Sequence, residues 1–425
     1  MLYDIGFLIF SVFYLPTLIF KGKLHGGLAE RFGCYSAEKR KSLSDAKGAI
    51  WIQAVSVGEV ALCRDLIPLI KREFPANPIV FSTITRTGWE LANKLYSRDA
   101  VIIYFPLDIS FVVKKTIALI RPSLYVMIET EIWPNVLKEL SLRAVPSALI
   151  NGRISDRSFG KYLMARPFLK RTLERIGVFC MQSKEDAERI KILGAPPEKV
   201  IVTGNMKFDF QVQTHEESLS RIKEFLGFSE GMRLFVAGST HSGEENIAIS
   251  VYKSLLAEFP DLKLLIAPRH IERASEVERV VKKAGFTPFF LSSSLFARLA
   301  EPRSRRVVYI LDAIGYLNDA YSIASVVFIG GSLVPHGGQN PIEPAVFGKA
   351  VIFGPYMFNF KNISAALLEG GGAIQVKDSS QLYCRVKSLL KEESVAFSIG
   401  SAAQNIIKNN RGATVRNLAV LKELL

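Results

Sequence analysis

The chain has 425 residues, of which 49% are hydrophobic and 22% charged, a composition that excludes a disordered protein and leaves room for two or three domains. Lysine and arginine number 54 against 40 aspartates and glutamates, so the formal net charge of +14 favours anionic partners. The four cysteines are far apart and form no CxxC pair, which argues against a disulfide framework or a zinc ribbon and fits a reducing compartment. No histidine or aspartate spacing predicts a metal site.

The chain begins with a nearly unbroken apolar run, Leu2–Phe20, that Asp4 and Pro16 interrupt. As a helix this run spans about 28 Å, just enough for a bilayer core. Lys21 and Lys23 follow it, and cations on that side keep the remaining chain cytoplasmic. We therefore expect a retained membrane anchor at residues 1–22 that spans the bilayer or lies in its interface; the alternative is a core helix of a soluble protein.

Apolar runs of strand length alternate with helical patterns through two stretches of the chain. This alternation predicts two similar open α/β domains, each with a parallel sheet covered by helices on both faces, that face a cleft. We predict an N-terminal domain over 23–208, a polar linker over 209–230 and a C-terminal domain over 231–425. The predicted strands are 50–55, 79–83, 101–104, 124–128, 147–150, 178–181 and 200–203 in the first domain, and 233–237, 262–266, 287–290, 307–311, 326–329, 350–353 and 373–376 in the second. From about residue 380 onward only helical periodicity appears.

The first predicted strand ends in Ser56-Val-Gly-Glu59, and Glu59 opens a helix. Open parallel sheets place their ligands at this end of a strand, which makes Glu59 a candidate catalytic carboxylate. The alternative is an ordinary acidic residue that stabilises a helix start. The helix dipole lowers the pKa of a glutamate there, so a base also needs burial or a neighbouring carboxylate, and Glu129 is the candidate neighbour.

Two further strand ends in the first domain carry charged residues. Glu129 and Glu131 follow the strand 124–128, where Trp133-Pro134 stiffens the turn, and Lys207 follows the last strand. The switch-point rule predicts that these residues face the same cleft as Glu59. Simple solvation of the loop is the alternative for the two glutamates.

Turns at three strand ends in the second domain have the composition of a ligand site. Pro268 fixes a turn that presents Arg269, whose guanidinium suits a phosphate or carboxylate. Gly330-Gly-Ser332 ends a strand in two glycines, and the backbone amides of the glycine-rich loop before Asn340, together with the helix start that follows it, predict an anion cradle. A carboxylate beside such a cradle repels phosphate, so Glu343 is expected to bind ribose hydroxyls instead. Asp312-Ala-Ile-Gly315 offers backbone contacts to a base.

A basic stretch runs through residues 153–175 of the first domain. Only Asp156 and Glu174 offset it, and we expect it to contact anionic lipid headgroups or a phosphorylated acceptor rather than to be only a solvated helix face. Its cations are Arg153, Arg157, Lys161, Arg166, Lys170, Arg171 and Arg175.

Taken in order, these motifs resemble the 3-deoxy-D-manno-octulosonic acid (Kdo) transferases of lipopolysaccharide assembly over nearly the whole chain. The motifs that carry the resemblance are Glu30-Arg-Phe-Gly33, Ser56-Val-Gly-Glu59, Glu129-Thr-Glu-Ile-Trp-Pro134, Asn151-Gly-Arg153, Gly204-Asn-Met-Lys-Phe-Asp209, Ala267-Pro-Arg-His270, Gly330-Gly-Ser332 and Gly337-Gly-Gln-Asn-Pro-Ile-Glu343.

The resemblance implies a GT-B glycosyltransferase with two Rossmann-like domains, an inverting reaction and neither metal nor cofactor. It implies CMP-Kdo as donor, a lipid A precursor (lipid IVA) as acceptor, and attachment to the cell inner membrane. Glu59 matches the family's general base, and Glu129 and Lys207 match its transition-state support. The residues that match its CMP contacts are Pro268, Arg269, Ile314, Gly315, Tyr316, Asn340, Pro341, Ile342 and Glu343. Tyr316 departs from the acidic residue that many members carry, so only backbone contacts are expected there.

Two other functions stay open on the sequence. One is a different GT-B chemistry, such as a UDP-sugar transferase or an epimerase. The other is a basic membrane-bound module without catalysis, but the basic platforms interleaved with aromatic residues that nucleic-acid binding needs do not occur. No motif indicates the number of Kdo residues added or an oligomeric state.

Overall fold

The computed structural model describes residues 3–4, 27–210, 214–293 and 306–425. The chain divides into two compact units, one formed by Met1–Phe210 with Asn410–Leu425 and the other by Gln211–Asn409. Each unit contains a parallel sheet with helices between successive strands, as the alternation in the sequence predicts.

The first unit is built on a sheet with the strand order β3-β2-β1-β4-β5-β6-β7 in the described chain. In its centre Ile50 pairs with Ile79 on one side and with Leu124 on the other. The strands are β1 (Ile50–Gln53), β2 (Ile79–Thr83), β3 (Ala100–Tyr104), β4 (Leu124–Ile128), β5 (Ser147–Gly152), β6 (Val178–Met181) and β7 (Val200–Val202).

Helices cover both faces of this sheet, so successive residues of β1 enter two different cores: Trp51 lies in one, and Ile50 and Ile52 lie in the other. The helices are Leu28–Arg31, Ala37–Asp45, Val57–Glu73, Arg86–Tyr96, Ser110–Ile120, Pro134–Leu142, Asp156–Met164, Arg166–Leu173, Lys184–Leu193 and Ala413–Lys422, with short 3₁₀ turns at Pro197–Lys199 and Met206–Asp209. The helical spacing of residues 158–174 predicts a single helix, which is wrong, because the chain breaks at Ala165 and a new helix starts with Pro167 in its first turn.

The second unit repeats the plan with the strand order β10-β11-β9-β8-β12-β13-β14 in the described chain. Its strands are β8 (Leu234–Thr240), β9 (Lys263–Pro268), β10 (Thr287–Phe290), β11 (Val307–Ile310), β12 (Val326–Ile329), β13 (Ala350–Phe353) and β14 (Ala373–Gln375). Its helices are Glu216–Phe225, Glu244–Leu255, Ala274–Lys283, Leu317–Ile323, Ile342–Val346, Lys361–Glu369, Ser379–Lys391 and Glu393–Asn410, with 3₁₀ turns at Ile271–Arg273 and Phe358–Phe360.

The strand order of each sheet reverses at one point. In the first sheet the chain fills one side of β1 and then continues from β4 on the other; in the second it does the same at β8 and β12. Loops that leave the two strands at such a point turn to opposite faces, which opens a crevice at their carboxyl ends. Candidate ligand residues are therefore expected after β1 and β4 in one unit and after β8 and β12 in the other.

The boundaries of the units differ from the prediction in two places. The segment 209–230 is not only a linker, because it contains the helix Glu216–Phe225, and Phe225 packs against Phe289 and Tyr309 of the second unit. The last helix contacts the first unit, whereas we expected the second domain to run to residue 425. Asp209 accepts hydrogen bonds from the backbone N–H groups of Gly412 at 2.5 Å and Thr414 at 2.6 Å, which fixes the start of that helix.

The predicted anchor, Leu2–Phe20, lies almost entirely outside the described residues. In the part of the chain that the structure describes, no helix combines the length and the apolar character that crossing a membrane requires. Of the predicted run, Asp4 is described, and its carboxylate accepts hydrogen bonds from Ser110 and Asn135 of the first unit at 2.9 Å.

Candidate functional site

Glu59 lies in the first turn of the helix Val57–Glu73, which follows β1. Ser56 caps this helix, because its Oγ accepts the Glu59 N–H at 3.4 Å and donates to Glu59 Oε1 at 2.8 Å. The other carboxylate oxygen, Oε2, accepts the backbone N–H of Val55 at 2.7 Å. The side chain is half-buried, so the Ser-x-Gly-Glu motif both starts the helix and fixes a carboxylate at the switch point.

Glu129 follows β4 with a left-handed backbone, φ +61°. This region costs a residue other than glycine on the order of 1–3 kcal/mol and is more common at functional sites. The N–H of Glu129 donates to Ile150 O at 3.0 Å, and its carboxylate lies 3.7 Å from Lys207 Nζ. Asn205 holds the lysine in place by accepting the Lys207 N–H at 2.9 Å. Glu129 and Lys207 therefore meet, as the sequence predicts.

Glu131 is the third carboxyl group at this edge of the sheet. The Trp133 indole N–H donates to Glu131 Oε2 at 2.9 Å. Burial, and after it the charges of Glu59 and Glu129, raise the pKa of Glu131 to about 8, while the hydrogen bond from the Trp133 indole opposes the rise. Glu131 consequently carries its proton at neutral pH.

The pKa of Glu59 is also raised, first by burial and then by the charge of Glu129. Hydrogen bonds from Val55 and Ser56 oppose the rise. This agrees with the expectation that the charge of Glu129 raises the pKa of Glu59, which the helix dipole lowers. A half-buried carboxylate with a raised pKa is a stronger base than a solvated one, so Glu59 is suited to accept a proton.

In the second unit Arg269 follows β9 and is exposed. Its N–H donates to Thr240 O at 2.9 Å, which holds the turn beside the end of β8. Burial raises the pKa of Glu343 to about 7, while a hydrogen bond from Asn340 and the charge of Arg269 oppose the rise. The Asn340 side chain donates to Glu343 Oε1 at 3.2 Å and accepts the Ile342 N–H at 3.1 Å. Arg269, Asn340 and Glu343 thus form one group of polar side chains.

Pro341 and Ile342 are buried, so their side chains support this group rather than extend from it. Pro268 ends β9 and is also buried. At the turn after β11, Ile314 is 83% exposed and Gly315 has φ +102°. The Tyr316 hydroxyl accepts a hydrogen bond from Arg221 at 3.3 Å, so this side chain has a partner within its own unit.

Three histidines, which the sequence did not mark as a group, lie together, and the charge of Arg269 acts on one of them, His241. The rings of His241 and His336 stack at 4.2 Å between centroids, and His270 meets His241 edge-on at 6.2 Å. Gln339 Nε2 lies 3.1 Å from His241 Nε2. Burial, and after it the charges of the neighbouring histidines and arginines, lower the pKa of His241 to about 4, so the ring is neutral at pH 7.

Backbone amides at and beside the predicted cradle already donate hydrogen bonds within the protein. The Glu244 carboxylate accepts the N–H groups of Gly331 at 2.6 Å, Ser332 at 3.0 Å and Leu333 at 3.0 Å. The N–H of Gly338 donates to Gly331 O at 2.8 Å. A phosphate therefore does not find these amides free, and they include the Gly338 N–H of the glycine-rich loop in which the cradle was predicted.

The signal for Glu244 was present in the sequence. His241-Ser-Gly-Glu244 follows β8 as Ser56-Val-Gly-Glu59 follows β1, and in both the glutamate bonds a backbone N–H at the end of its strand. Within the described ranges, no group of three or more histidine, cysteine, aspartate or glutamate side chains has an arrangement that holds a metal ion.

Solved structures define the class of protein. The UDP-GlcNAc 2-epimerase of Neisseria meningitidis aligns with a TM-score of 0.60 at 12% identity, covering 88% of this chain and 100% of that chain. A glycosyltransferase from Rickettsia africae aligns with a TM-score of 0.58 at 14% identity, covering 89% and 98%. At these identities the similarity concerns the fold alone, which is the two-unit α/β fold of GT-B enzymes.

The sequence comparisons then define the family. A family model described as 3-deoxy-D-manno-octulosonic-acid transferase (kdotransferase) matches residues 26–210. The 3-deoxy-D-manno-octulosonic acid transferase of Haemophilus influenzae is 34% identical over 94% of this chain and 91% of its own length. That of Chlamydophila psittaci is 31% identical over 87% and 84%. The chain therefore belongs to the 3-deoxy-D-manno-octulosonic acid transferase family.

The raised pKa of Glu131 predicts a pH-dependent stability. The carboxyl titrates near 4.5 when solvated and near 8 when folded, so the folded state binds the extra proton between these values. The free energy of unfolding must then fall as the pH rises through this window. Glu131→Gln keeps an oxygen for Trp133 and never ionises. We expect its melting temperature to match that of the wild type near pH 4.5 and to exceed it by a margin that widens up to pH 8.

Thermal unfolding of both proteins at a series of pH values measures this margin. Glu90→Gln, on an exposed helix position, controls for the loss of a carboxylate as such. A margin for Glu131→Gln that does not change with pH would contradict the protonated Glu131.

Proposed function

We propose that this chain transfers Kdo from CMP-Kdo to a lipid A precursor in lipopolysaccharide biosynthesis. Membership of the family supports the reaction class, and the single observation that carries the assignment of roles is the convergence of Glu59, Glu129 and Lys207 at one sheet edge. The donor carries a phosphate and a carboxylate and the acceptor carries phosphates, which suits the net charge of +14.

Glu59 is the general base in this proposal. Its carboxylate takes the proton of the acceptor hydroxyl, the hydroxyl oxygen forms a bond to the anomeric carbon, and the bond from that carbon to the cytidylate phosphate breaks. Displacement in one step inverts the anomeric centre. The fixed carboxylate needs no reorganisation, because Val55 and Ser56 already hold it. Lys207, oriented by Glu129, supplies positive charge for the transition state.

Glu131 has a different role from the other two glutamates. A third ionised carboxylate at this edge would repel an acceptor phosphate and would make Glu59 harder to ionise. We propose that Glu131 stays neutral and leaves Glu59 as the group that exchanges the proton. The hydrogen bond from Trp133 orients the neutral group.

The donor's nucleotide binds to the second unit. The exposed Arg269 guanidinium suits the cytidylate phosphate, and Glu343, held by Asn340, suits the paired ribose hydroxyls. The backbone around Gly315 contributes contacts to the base. Positive charge for the departing phosphate comes from Arg269, so we propose a reaction without a metal cofactor.

A change of the base tests the mechanism. General base catalysis contributes typically about 10²–10⁴-fold, so we expect Glu59→Gln to lose at least about 10²-fold in turnover. Affinity for CMP should stay unchanged, because the nucleotide binds to the other unit. The measurement is the initial rate of lipid product formation from CMP-Kdo and lipid IVA, followed by mass spectrometry.

Glu131→Gln is the matched control, since it removes a carboxylate from the same edge and should keep most of the activity at neutral pH. Wild-type turnover in Glu59→Gln would overturn the role of the base. A loss in Glu131→Gln as large as that in Glu59→Gln would overturn the neutral role of Glu131.

Nucleotide selectivity tests the donor site. CMP should raise the melting temperature while UMP and UDP should not, because a ligand stabilises only the state that binds it.

Hydrogen bonds to a charged group contribute about 1.5–3 kcal/mol, so Glu343→Gln should weaken CMP binding about tenfold or more. The pKa of Glu343 is about 7, so this carboxylate becomes protonated as the pH drops below 7. The affinity of the wild type for cytidine, which has no phosphate to titrate, should therefore fall over this range. The affinity of Glu343→Gln for cytidine should not change.

Stabilisation by UDP instead of CMP would point to the alternative GT-B chemistry. Equal affinity of wild type and Glu343→Gln for CMP would show that the ribose lies elsewhere.

We further propose that the basic stretch of the first unit faces the cytoplasmic side of the inner membrane. The helices Asp156–Met164 and Arg166–Leu173 expose apolar side chains among their cations, with Met164 82% and Phe168 51% exposed. An amphipathic surface with this composition binds anionic interfaces. The ring of Tyr3 stacks on Phe168 with 5.8 Å between ring centroids. Tyr3, which belongs to the predicted anchor, therefore lies against this surface.

Phe168→Glu tests the membrane-facing surface. Burial of a phenylalanine contributes about 1.5–3 kcal/mol, so this change should weaken binding to vesicles that contain anionic lipid by about tenfold or more. Phe397→Glu, at an even more exposed position of the second unit, is the control and should not change vesicle binding. Equal binding of both variants in a sedimentation assay would exclude the proposed surface.

A further inference from the structure

A cavity lies at the edge of the second sheet where its strands begin, away from Arg269 and Glu343. Its volume is about 300 Å³. Arg233, Ser325 and Lys349, which line it, immediately precede β8, β12 and β13. These strands are parallel neighbours, so their first residues share one edge, whereas the proposed donor site lies at the opposite edge.

Lys349 brings a positive charge into this cavity without a partner. Its side chain is half-buried, and among the described residues its ammonium has no hydrogen bond or ion pair. Burial alone lowers the pKa of Lys349, and no nearby carboxylate offsets the effect. An unpaired, partly desolvated cation raises the energy of the folded chain unless an anion binds to it.

The backbone fixes this lysine at the cavity. Gly348 turns the chain with φ +66°, and the Lys349 N–H donates to Pro344 O at 3.2 Å. The helix Glu393–Asn410 packs on the same turn, where Gln404 Nε2 donates to Val346 O at 2.8 Å. Little rearrangement is therefore needed for an anion to reach the ammonium.

Arg233 supplies a second unused donor. Its Nη1 donates to Asp261 at 2.9 Å, and its guanidinium lies over the Phe259 ring at 5.5 Å. The Nε atom of the same guanidinium is buried and has no hydrogen-bond partner among the described residues. Buried donors nearly always have partners, so the guanidinium of this cavity-lining residue has unused hydrogen-bonding capacity.

The rest of the lining sets the kind of molecule that fits. Leu389, Leu390 and Ala350 form an apolar part of the wall, and Phe397 is 75% exposed at the rim. Glu393 is the acidic residue of the lining and is itself exposed. The cavity thus combines two cationic donors with apolar surface, which suits a small molecule that has an oxyanion at one end.

From these observations we infer that the cavity is a second anion-binding site, in which Lys349 and Arg233 hold the phosphate or carboxylate of a small compound whose apolar body lies against Leu389 and Phe397. The site is distinct from the proposed donor site. The chain passes from the helix that lines it, Glu393–Asn410, directly into the last helix of the first unit.

Competitive acetylation of the full-length protein tests the site without any transfer assay, so its result is independent of the proposed function. Lysines are labelled with trace acetic anhydride and quantified by mass spectrometry at constant ionic strength, with phenyl phosphate, inorganic phosphate or benzoate as the probe. At ten times its Kd a probe should slow acetylation of Lys349 about tenfold. Lys253, exposed on the helix Glu244–Leu255, is the internal control and should react at an unchanged rate.

Protection by phenyl phosphate or benzoate but not by inorganic phosphate supports a ligand with an apolar body, and equal protection by inorganic phosphate supports a free oxyanion. Arg233→Met should reduce the protection of Lys349 while its far-UV circular dichroism stays that of the wild type. An unchanged Lys349 rate at about 10 mM of every probe would overturn the site, because binding would then be weaker than millimolar. Equal slowing of Lys253 would also overturn it.

Discussion

The reversal of strand order in each parallel sheet is the constraint on which the candidate sites depend. Parallel strands bring all their carboxyl ends to one edge, and the reversal parts the following loops, so polar residues that are distant in sequence converge there. In the first unit this brings together Glu59 after β1, Glu129 after β4 and Lys207 after β7. The same topology places Arg269 beside the ends of β8 and β12 in the second unit.

Bringing carboxyl groups together at a sheet edge has an electrostatic cost, and the two units offset this cost in different ways. In the first unit three carboxyl groups share an edge with Lys207, and burial with mutual repulsion leaves the proton on Glu131. In the second unit the glutamate in the equivalent position, Glu244, is fully buried and bonds the backbone amides that follow β12. One strand-end glutamate therefore stays accessible for chemistry while the other became part of the scaffold.

Much of this arrangement could be predicted from the sequence, because the alternation of strands and helices fixes which residues follow a strand. Glu59, Glu129 and Lys207 were found in this way. The motif His241-Ser-Gly-Glu244 marks a strand-end glutamate, but it does not encode the partners of Glu244, which lie across the sheet edge at the end of β12. The last helix was assigned to the wrong unit for a similar reason: its helical periodicity does not identify its partner, whereas in the structure it bonds Asp209 and Thr203 of the first unit. Glu131 was noticed as a strand-end residue, but its protonation depends on burial that a sequence does not reveal.

The most direct test of this account is a carboxyl ¹³C NMR titration of Glu131 in the wild type and in Glu59→Gln. If the carboxylates converge as described, Glu131 titrates near pH 8 in the wild type and at a lower pH in the variant, because the negative charge of its neighbour is gone. A midpoint that is the same in both proteins, or one near the ordinary glutamate value of 4.5, would show that these groups do not share the sheet edge.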